Sequence, residues 1–228
     1  MRNSPQICDV HSCFLCSRCL PEWREAIGNY KKNARFKKGG IIFNEGDPVK
    51  GMFFVYSGKV KIHMKWGQEK ELVVRFAREG DIIGYRGLGK ELVYPVSATA
   101  LEDVVVCFVE ISFFETTLKV NPNFTYELMK FYANELQEAE HRIRNLVHMD
   151  VKGRVAETLL MLKRTFGVNK SGFIDITLTK QDIASYCGTT YETFSRVAAE
   201  LERNKIIRTS GKNVAIVKEQ NLRELILY

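Results

Sequence analysis

The sequence predicts an α+β chain: an N-terminal antiparallel β-roll, one long helix and a C-terminal winged helix-turn-helix. Three observations carry this expectation. Between Phe36 and Glu110, short apolar runs are broken by glycine at 46, 58, 67 and 80, the pattern of strands joined by tight turns. From Pro122 to Met149, apolar residues recur at three- and four-residue steps, the period of one helix face. In the last third, two short amphipathic stretches flank Gly188 and a glycine-centred hairpin pattern follows.

Composition sets the bounds. The chain has 228 residues, 45% of them hydrophobic, enough for two cores when a domain usually holds roughly 100–200 residues. No apolar run approaches the ~20 residues of a membrane-spanning helix, and MRNSPQICDVHS lacks the apolar stretch of a secretory signal. A cytoplasmic protein with no membrane partner is expected. The net charge of +7 favours an anionic partner without naming it. In a reducing compartment clustered cysteines are more often metal ligands or reactive thiols than disulfides, and four of the six fall in CDVHSCFLCSRC, residues 8–19.

In the roll, GGIIFNEGD, GMFFVYSGKVKIHMKWGQEKELVVRFAREGD and VSATALEDVVVCFVEI are rich in Val, Ile and Phe and read as about eight strands. The following stripe of Leu128, Phe131, Tyr132, Leu136, Ala139, Ile143 and Leu146 is narrow enough for a coiled-coil seam. Tyr132, Leu136, Ala139, Ile143 and Leu146 are the expected contacts of a dimer. Val151, Lys152 and Gly153 read as a hinge.

Beyond the hinge, RVAETLLMLKRTFG is a helix closed by Gly167, and FIDITL alternates as a strand. Thr179 is placed to cap the next helix, Gly188 to make the turn, and Gly211 to sit at the tip of a hairpin. Phe194, Val197 and Leu201 share one buried face, which leaves Tyr191, Glu192, Ser195 and Arg196 on the other, near the N-terminal end of the second helix. In a helix-turn-helix this end enters the major groove. Arg donates two hydrogen bonds to guanine, Glu accepts from cytosine and Ser serves either base. Lys180, Thr190, Lys205 and Lys212 are candidate phosphate contacts, and Cys187 reads as packing. The expected divisions are 1–29 (cysteine-rich segment and short helix), 30–121 (roll), 122–150 (long helix) and 151–228 (winged domain).

The succession FNEGD, FFVYSGKVKI, EGDIIG and LTKQDIASYCGTTYETFSR resembles the CRP/FNR superfamily of bacterial transcription regulators over about residues 30–220. The resemblance implies a cyclic-nucleotide-binding-like roll that senses a signal, a helix that forms a homodimer, and a winged domain that binds palindromic double-stranded DNA, with RNA polymerase as a partner and no enzymatic activity. Glu192, Ser195 and Arg196 fall where the oxygen-responsive FNR branch carries its base-reading residues. The cyclic-AMP branch has Arg where this chain has Tyr191, so half-sites like TTGAT rather than TGTGA are implied.

For the roll, the resemblance implies a degenerate pocket. Cyclic-AMP-binding members have Glu after the glycine of their GDxxGE motif and an Arg-Ser or Arg-Thr pair for the phosphate; here Gly84 is followed by Tyr85, and the pair is Val96 and Ser97. A cyclic phosphate without its guanidinium loses a bidentate, charge-assisted contact, so cyclic AMP is not an expected ligand. Arg86 and Lys90 nearby are candidates to bind some other anion, but read first as solvated loop charges.

FNR-type regulators hold a [4Fe-4S] cluster with three N-terminal cysteines and a fourth late in the roll, where this chain has Cys107. Soft thiolates suit iron–sulfur coordination. The spacing here departs from the family's, and the implied set is Cys13, Cys16, Cys19 and Cys107, with Cys8 as an alternate. Zinc held by the N-terminal cysteines, or by three of them with His11, is the rival site. Thiol sensing without metal and idle cysteines are the remaining readings. A regulator with no cluster, whose roll takes an unidentified small ligand or none, is the alternative function. A cupin-like enzyme is remote, because only His63 of the four histidines lies in the roll.

Overall fold

Strands form within the glycine-punctuated runs, with one further strand, Lys32–Phe36, just ahead of them. They are β1 (Lys32–Phe36), β2 (Ile41–Phe43), β3 (Gly51–Ser57), β4 (Val60–Trp66), β5 (Lys70–Ala77), β6 (Ile82–Ile83), β7 (Ser97–Ala100) and β8 (Val104–Glu110). Two antiparallel sheets result, in the orders β1-β8-β3-β6 and β2-β7-β4-β5. Their inward residues, among them Phe54, Val60, Ile62, Val106 and Phe108, share one core. The structure, a computed structural model, describes residues 11–67 and 70–226. The chain divides into two units, one running to Glu135 and the other from Leu136.

In the first unit the cysteine-rich segment is packed onto the roll. The Phe14 amide donates to the Gly80 carbonyl at 2.9 Å, and the Phe14 ring meets Phe131 edge-on at 5.1 Å. Helix α1 (Trp23–Tyr30) follows. Its Trp23 stacks on Phe113 of α2 (Ile111–Val120) at 5.8 Å and donates from Nε1 to Thr117 Oγ1 at 3.1 Å.

The long helix α3 runs Pro122–His148, and the division between units falls inside it. The second unit continues with α4 (Val151–Phe166), α5 (Lys180–Cys187), α6 (Tyr191–Arg203), the hairpin β9 (Ile207–Ser210) and β10 (Asn213–Ile216), and α7 (Glu219–Glu224). Two expectations change here. The helix break falls at Met149–Asp150, where the Asp150 carboxylate caps α4 by accepting from the Gly153 amide at 2.6 Å. Gly153 is therefore a buried first-turn residue rather than a hinge, and a Cβ there would lie 2.7 Å from Met149 Cγ. FIDITL is not a strand: only Ile174 makes a bridge, to Val168, while its amide donates to the Val214 carbonyl of the hairpin at 2.9 Å. Among the described residues no helix is long and apolar enough to cross a membrane.

Candidate nucleic-acid interface and sensor residues

Both helices of the helix-turn-helix start on side-chain caps. Thr179 Oγ1 accepts from the Asp182 amide at 3.0 Å while Asp182 Oδ2 accepts from the Thr179 amide at 3.0 Å, a reciprocal box that satisfies two orphan donors. Thr190 Oγ1 accepts from the Thr193 amide at 3.2 Å and starts α6. Gly188 takes φ +65° in the turn between them. Ile183, Ala184, Phe194, Val197, Ala198 and Leu201 are buried, which turns Tyr191, Glu192 and Arg196 to solvent.

Ser195 differs from that expectation. It is half-buried, and its Oγ is shut off from solvent with no hydrogen-bond partner, because position 195 borders the buried face beside Phe194. Base reading through Ser195 requires its χ1 to turn outward. Of the phosphate candidates, Lys180 and Lys212 are exposed and line one cleft of about 230 Å³ with Tyr191. The Thr190 hydroxyl is engaged as a cap. Lys205 follows the C-terminal end of the 13-residue α6, so roughly 20 Å of helix separates it from Tyr191. Lys205 therefore lies at the far end of α6 from the base-reading face.

Two arginines that the sequence reading missed hold this turn. Arg154 Nε donates to the Cys187 carbonyl at 2.9 Å and Nη1 to the Met149 carbonyl at 2.6 Å. Arg142 Nη2 donates to the Tyr186 carbonyl at 3.1 Å, its guanidinium 4.2 Å from the Tyr186 ring centre. Cys187 is a packing residue: its Sγ lies 3.2 Å from Thr158 Oγ1, and burial pushes its thiol up to about 11.

The stripe on α3 is used in two ways. Leu128 is buried, and Tyr132, expected in a dimer seam, donates its hydroxyl to the Tyr85 carbonyl at 2.5 Å. Leu136 and Ile143 are each 61% exposed, Ala139 is half-buried, and Leu146 is partly exposed beside Gly188. Met129, which the sequence reading passed over, is 59% exposed and stands seven residues before Leu136. Met129, Leu136 and Ile143 thus recur at heptad steps.

In the roll, Tyr85 opens a 3-10 turn, Tyr85–Gly87, after the positive-φ Gly84. Val96 is buried, and the buried Ser97 accepts the Glu45 amide at 2.9 Å, so neither is presented to a ligand. Arg86 is not a solvated charge: its Nη2 donates to Glu135 Oε2 at 2.8 Å. The reading missed Glu135 because it lies 49 residues downstream.

Cys107, on β8, faces Phe54 of β3 in the register and is buried. It lines one small cavity with Ser12, Cys13 and Gly80. Cys16 and Cys19 are buried in the core, and Cys13 is half-buried against it. Burial, reinforced by the charge of Cys13 and opposed by Arg24, pushes the Cys19 thiol up to about 12. Cys8 lies outside the described residues.

Comparison with known proteins fixes the family. A cyclic nucleotide-binding domain model matches residues 34–121 and a Crp-like helix-turn-helix model matches 153–225. An anaerobic regulatory protein from Bacillus subtilis is 31% identical over 203 residues, 87% of this chain and 84% of that protein. The chain belongs to the CRP/FNR superfamily. Like its relatives there, it is a DNA-binding transcription regulator. Electron transport regulator A from Shewanella oneidensis is 28% identical over 97% of this chain and 92% of its own. The structure of FixK2 from Bradyrhizobium japonicum superposes with a TM-score of 0.76 at 25% identity, covering 86% of this chain and 96% of that one.

Against the CRP/FNR cluster expectation, the described cysteines Cys13, Cys16, Cys19 and Cys107 do not form a four-thiolate set. Among the described residues no three His, Cys, Asp or Glu side chains converge to hold a metal. For the zinc alternative, His11 is exposed while Cys16 and Cys19 are buried, and its further ligand candidate Cys8 is not among the described residues. The reason is geometric: of the described cysteines only Cys13 lines the small cavity with Cys107, while Cys16 and Cys19 are buried in the core.

Proposed function

We propose that this regulator is a homodimer that reads a palindrome of TTGAT-like half-sites. The observation that carries the reading is the exposed face of Tyr191, Glu192 and Arg196 at the start of α6. In the major groove Arg196 donates to guanine O6 and N7, and Glu192 accepts from cytosine N4. Lys180 and Lys212, which share a cleft with Tyr191, contact phosphates. The heptad stripe Met129, Leu136 and Ile143 supports two-fold pairing, which a palindrome mirrors with half-sites about 34–36 Å apart. Fluorescence anisotropy with the palindrome and a scrambled duplex at fixed salt tests this, and at least about 10³-fold preference is expected.

The signal is proposed to be oxygen, nitric oxide or redox state, received at thiols. Its support is the cavity that Cys13 shares with Cys107, together with relatives described as anaerobic and electron-transport regulators. Iron and sulfide analysis after anaerobic purification separates this from cluster sensing: iron-free protein whose DNA affinity still responds to oxidant supports thiols, and stoichiometric iron and sulfide favours a cluster.

A further inference from the structure

One ion network in the roll is unused by DNA reading. Arg75, on β5, lies 3.1 Å from Asp81 Oδ2 and 3.5 Å from Glu135 Oε1, and its Nη1 donates to the Ile82 carbonyl at 3.1 Å. Arg86 Nη2 donates to Glu135 Oε2 at 2.8 Å, and the Tyr85 hydroxyl donates to the same oxygen. Glu135, on α3, therefore faces two guanidiniums and a phenol from the roll while its side chain is only 20% exposed. Tyr132, on the preceding turn of α3, anchors the Tyr85 carbonyl. The rings of Phe131 and Tyr132 meet Tyr85 edge-on at 4.8 and 5.6 Å.

Electrostatics gives this arrangement its sense. Two arginines on adjoining elements of one roll, with Asp81 beside only one of them, make a site short of one negative charge until a carboxylate enters. A half-buried carboxylate in turn requires such partners, since removing one side leaves an uncompensated charge. Burial raises the Tyr85 phenol above its usual range, so it is a donor at neutral pH. The three donors converge as they would on the carboxylate of a small ligand, but here the group arrives on a side chain.

We propose that Glu135 is a built-in ligand of the roll: its carboxylate fills an anion site made by Arg75, Arg86 and Tyr85 and orders α3 without an external effector. The proposal rests on reading the chain as a dimeric DNA-binding regulator. It names a ligand class: with the side chain removed, the site accepts a small monocarboxylate.

Chemical rescue of the full-length chain tests it. Glu135→Ala is compared with the wild type in amide hydrogen exchange across α3 and in affinity for the palindrome, with sodium acetate or with sodium chloride at equal ionic strength. Faster exchange in α3 and about tenfold weaker DNA binding are expected, the scale of an ordinary coupling between sites. Acetate restores both, chloride restores neither, and Glu135→Ala with Arg86→Ala does not respond to acetate. Wild-type exchange in Glu135→Ala overturns the proposal, as does a loss in a natively folded variant that acetate leaves unchanged. If the alanine variant melts, Glu135→Asp against Glu135→Gln decides: retained protection in Asp and its loss in Gln supports the charge, and equal behaviour overturns it. Wild-type protein that ignores the palindrome sinks the DNA reading alone, because the exchange readout does not depend on DNA.

Discussion

The side chain of Leu146, near the end of α3, lies over Gly188 in the turn between α5 and α6, so close that a Cβ on that glycine would sit 2.4 Å from Leu146 Cδ2. Gly188 thus meets two requirements at once, a φ of +65° and the approach of a neighbouring side chain. Arg142 and Arg154 fasten the carbonyls of Tyr186 and Cys187 beside it.

Gly188→Ala is therefore expected to destabilise the second unit by more than the roughly 1–2 kcal/mol of a left-handed alanine. Thermal unfolding followed by circular dichroism checks this. Trimming the neighbour in the double variant Gly188→Ala with Leu146→Ala should cost less than the sum of the two single changes, since contacting residues are not additive.

Arg196→Ala should lower affinity for the palindrome by about 1–3 kcal/mol for each half-site while leaving non-specific binding nearly unchanged. Lys212→Ala should instead weaken specific and scrambled duplexes alike and flatten the salt dependence. Anisotropy titrations over a salt series distinguish the two.

Leu136→Glu with Ile143→Glu should give folded monomers, because the paired stripe would bury two carboxylates without partners. These positions are chosen over Tyr132, which serves the roll, and Leu146, which packs on Gly188. Light scattering reads the mass, and an unchanged dimer would remove the stripe from the interface.

The buried thiols carry a pH signature. Burial pushes the Cys19 thiol up to about 12 and the Cys187 thiol up to about 11, against about 8.5 for an unfolded cysteine. Between those values the native state holds more protons than the unfolded one, so stability contributed by these thiols falls as pH climbs from about 8.5. At pH 8 both should alkylate at under about a hundredth of their rate in denaturant, since the thiolate is the nucleophile. Mass spectrometry of iodoacetamide-labelled peptides checks this, and rapid native labelling of Cys19 would contradict its burial.

What could be read from the sequence was what neighbours in the chain decide. The Thr179 cap, the Gly188 turn and the buried set Phe194, Val197 and Leu201 follow from local chemistry and helical period, and all appear in the fold. FIDITL misled because its alternation is real but its pairing is limited to one bridge and a contact with the hairpin. Arg86 looked solvated because nothing within a few residues announces Glu135. Met129 was within reach, since its seven-residue spacing from Leu136 and Ile143 stands in the sequence. The inward turn of the Ser195 hydroxyl was not, because periodicity assigns a face and not a rotamer.

The most direct test of the central claim is the affinity of the protein for a palindrome of TTGAT-like half-sites, measured beside a duplex in which only the half-sites are scrambled, at one fixed salt concentration. The account predicts at least about 10³-fold preference for the palindrome, lost in Arg196→Ala. Equal affinity for the two duplexes, or a preference that survives loss of Arg196, would contradict it.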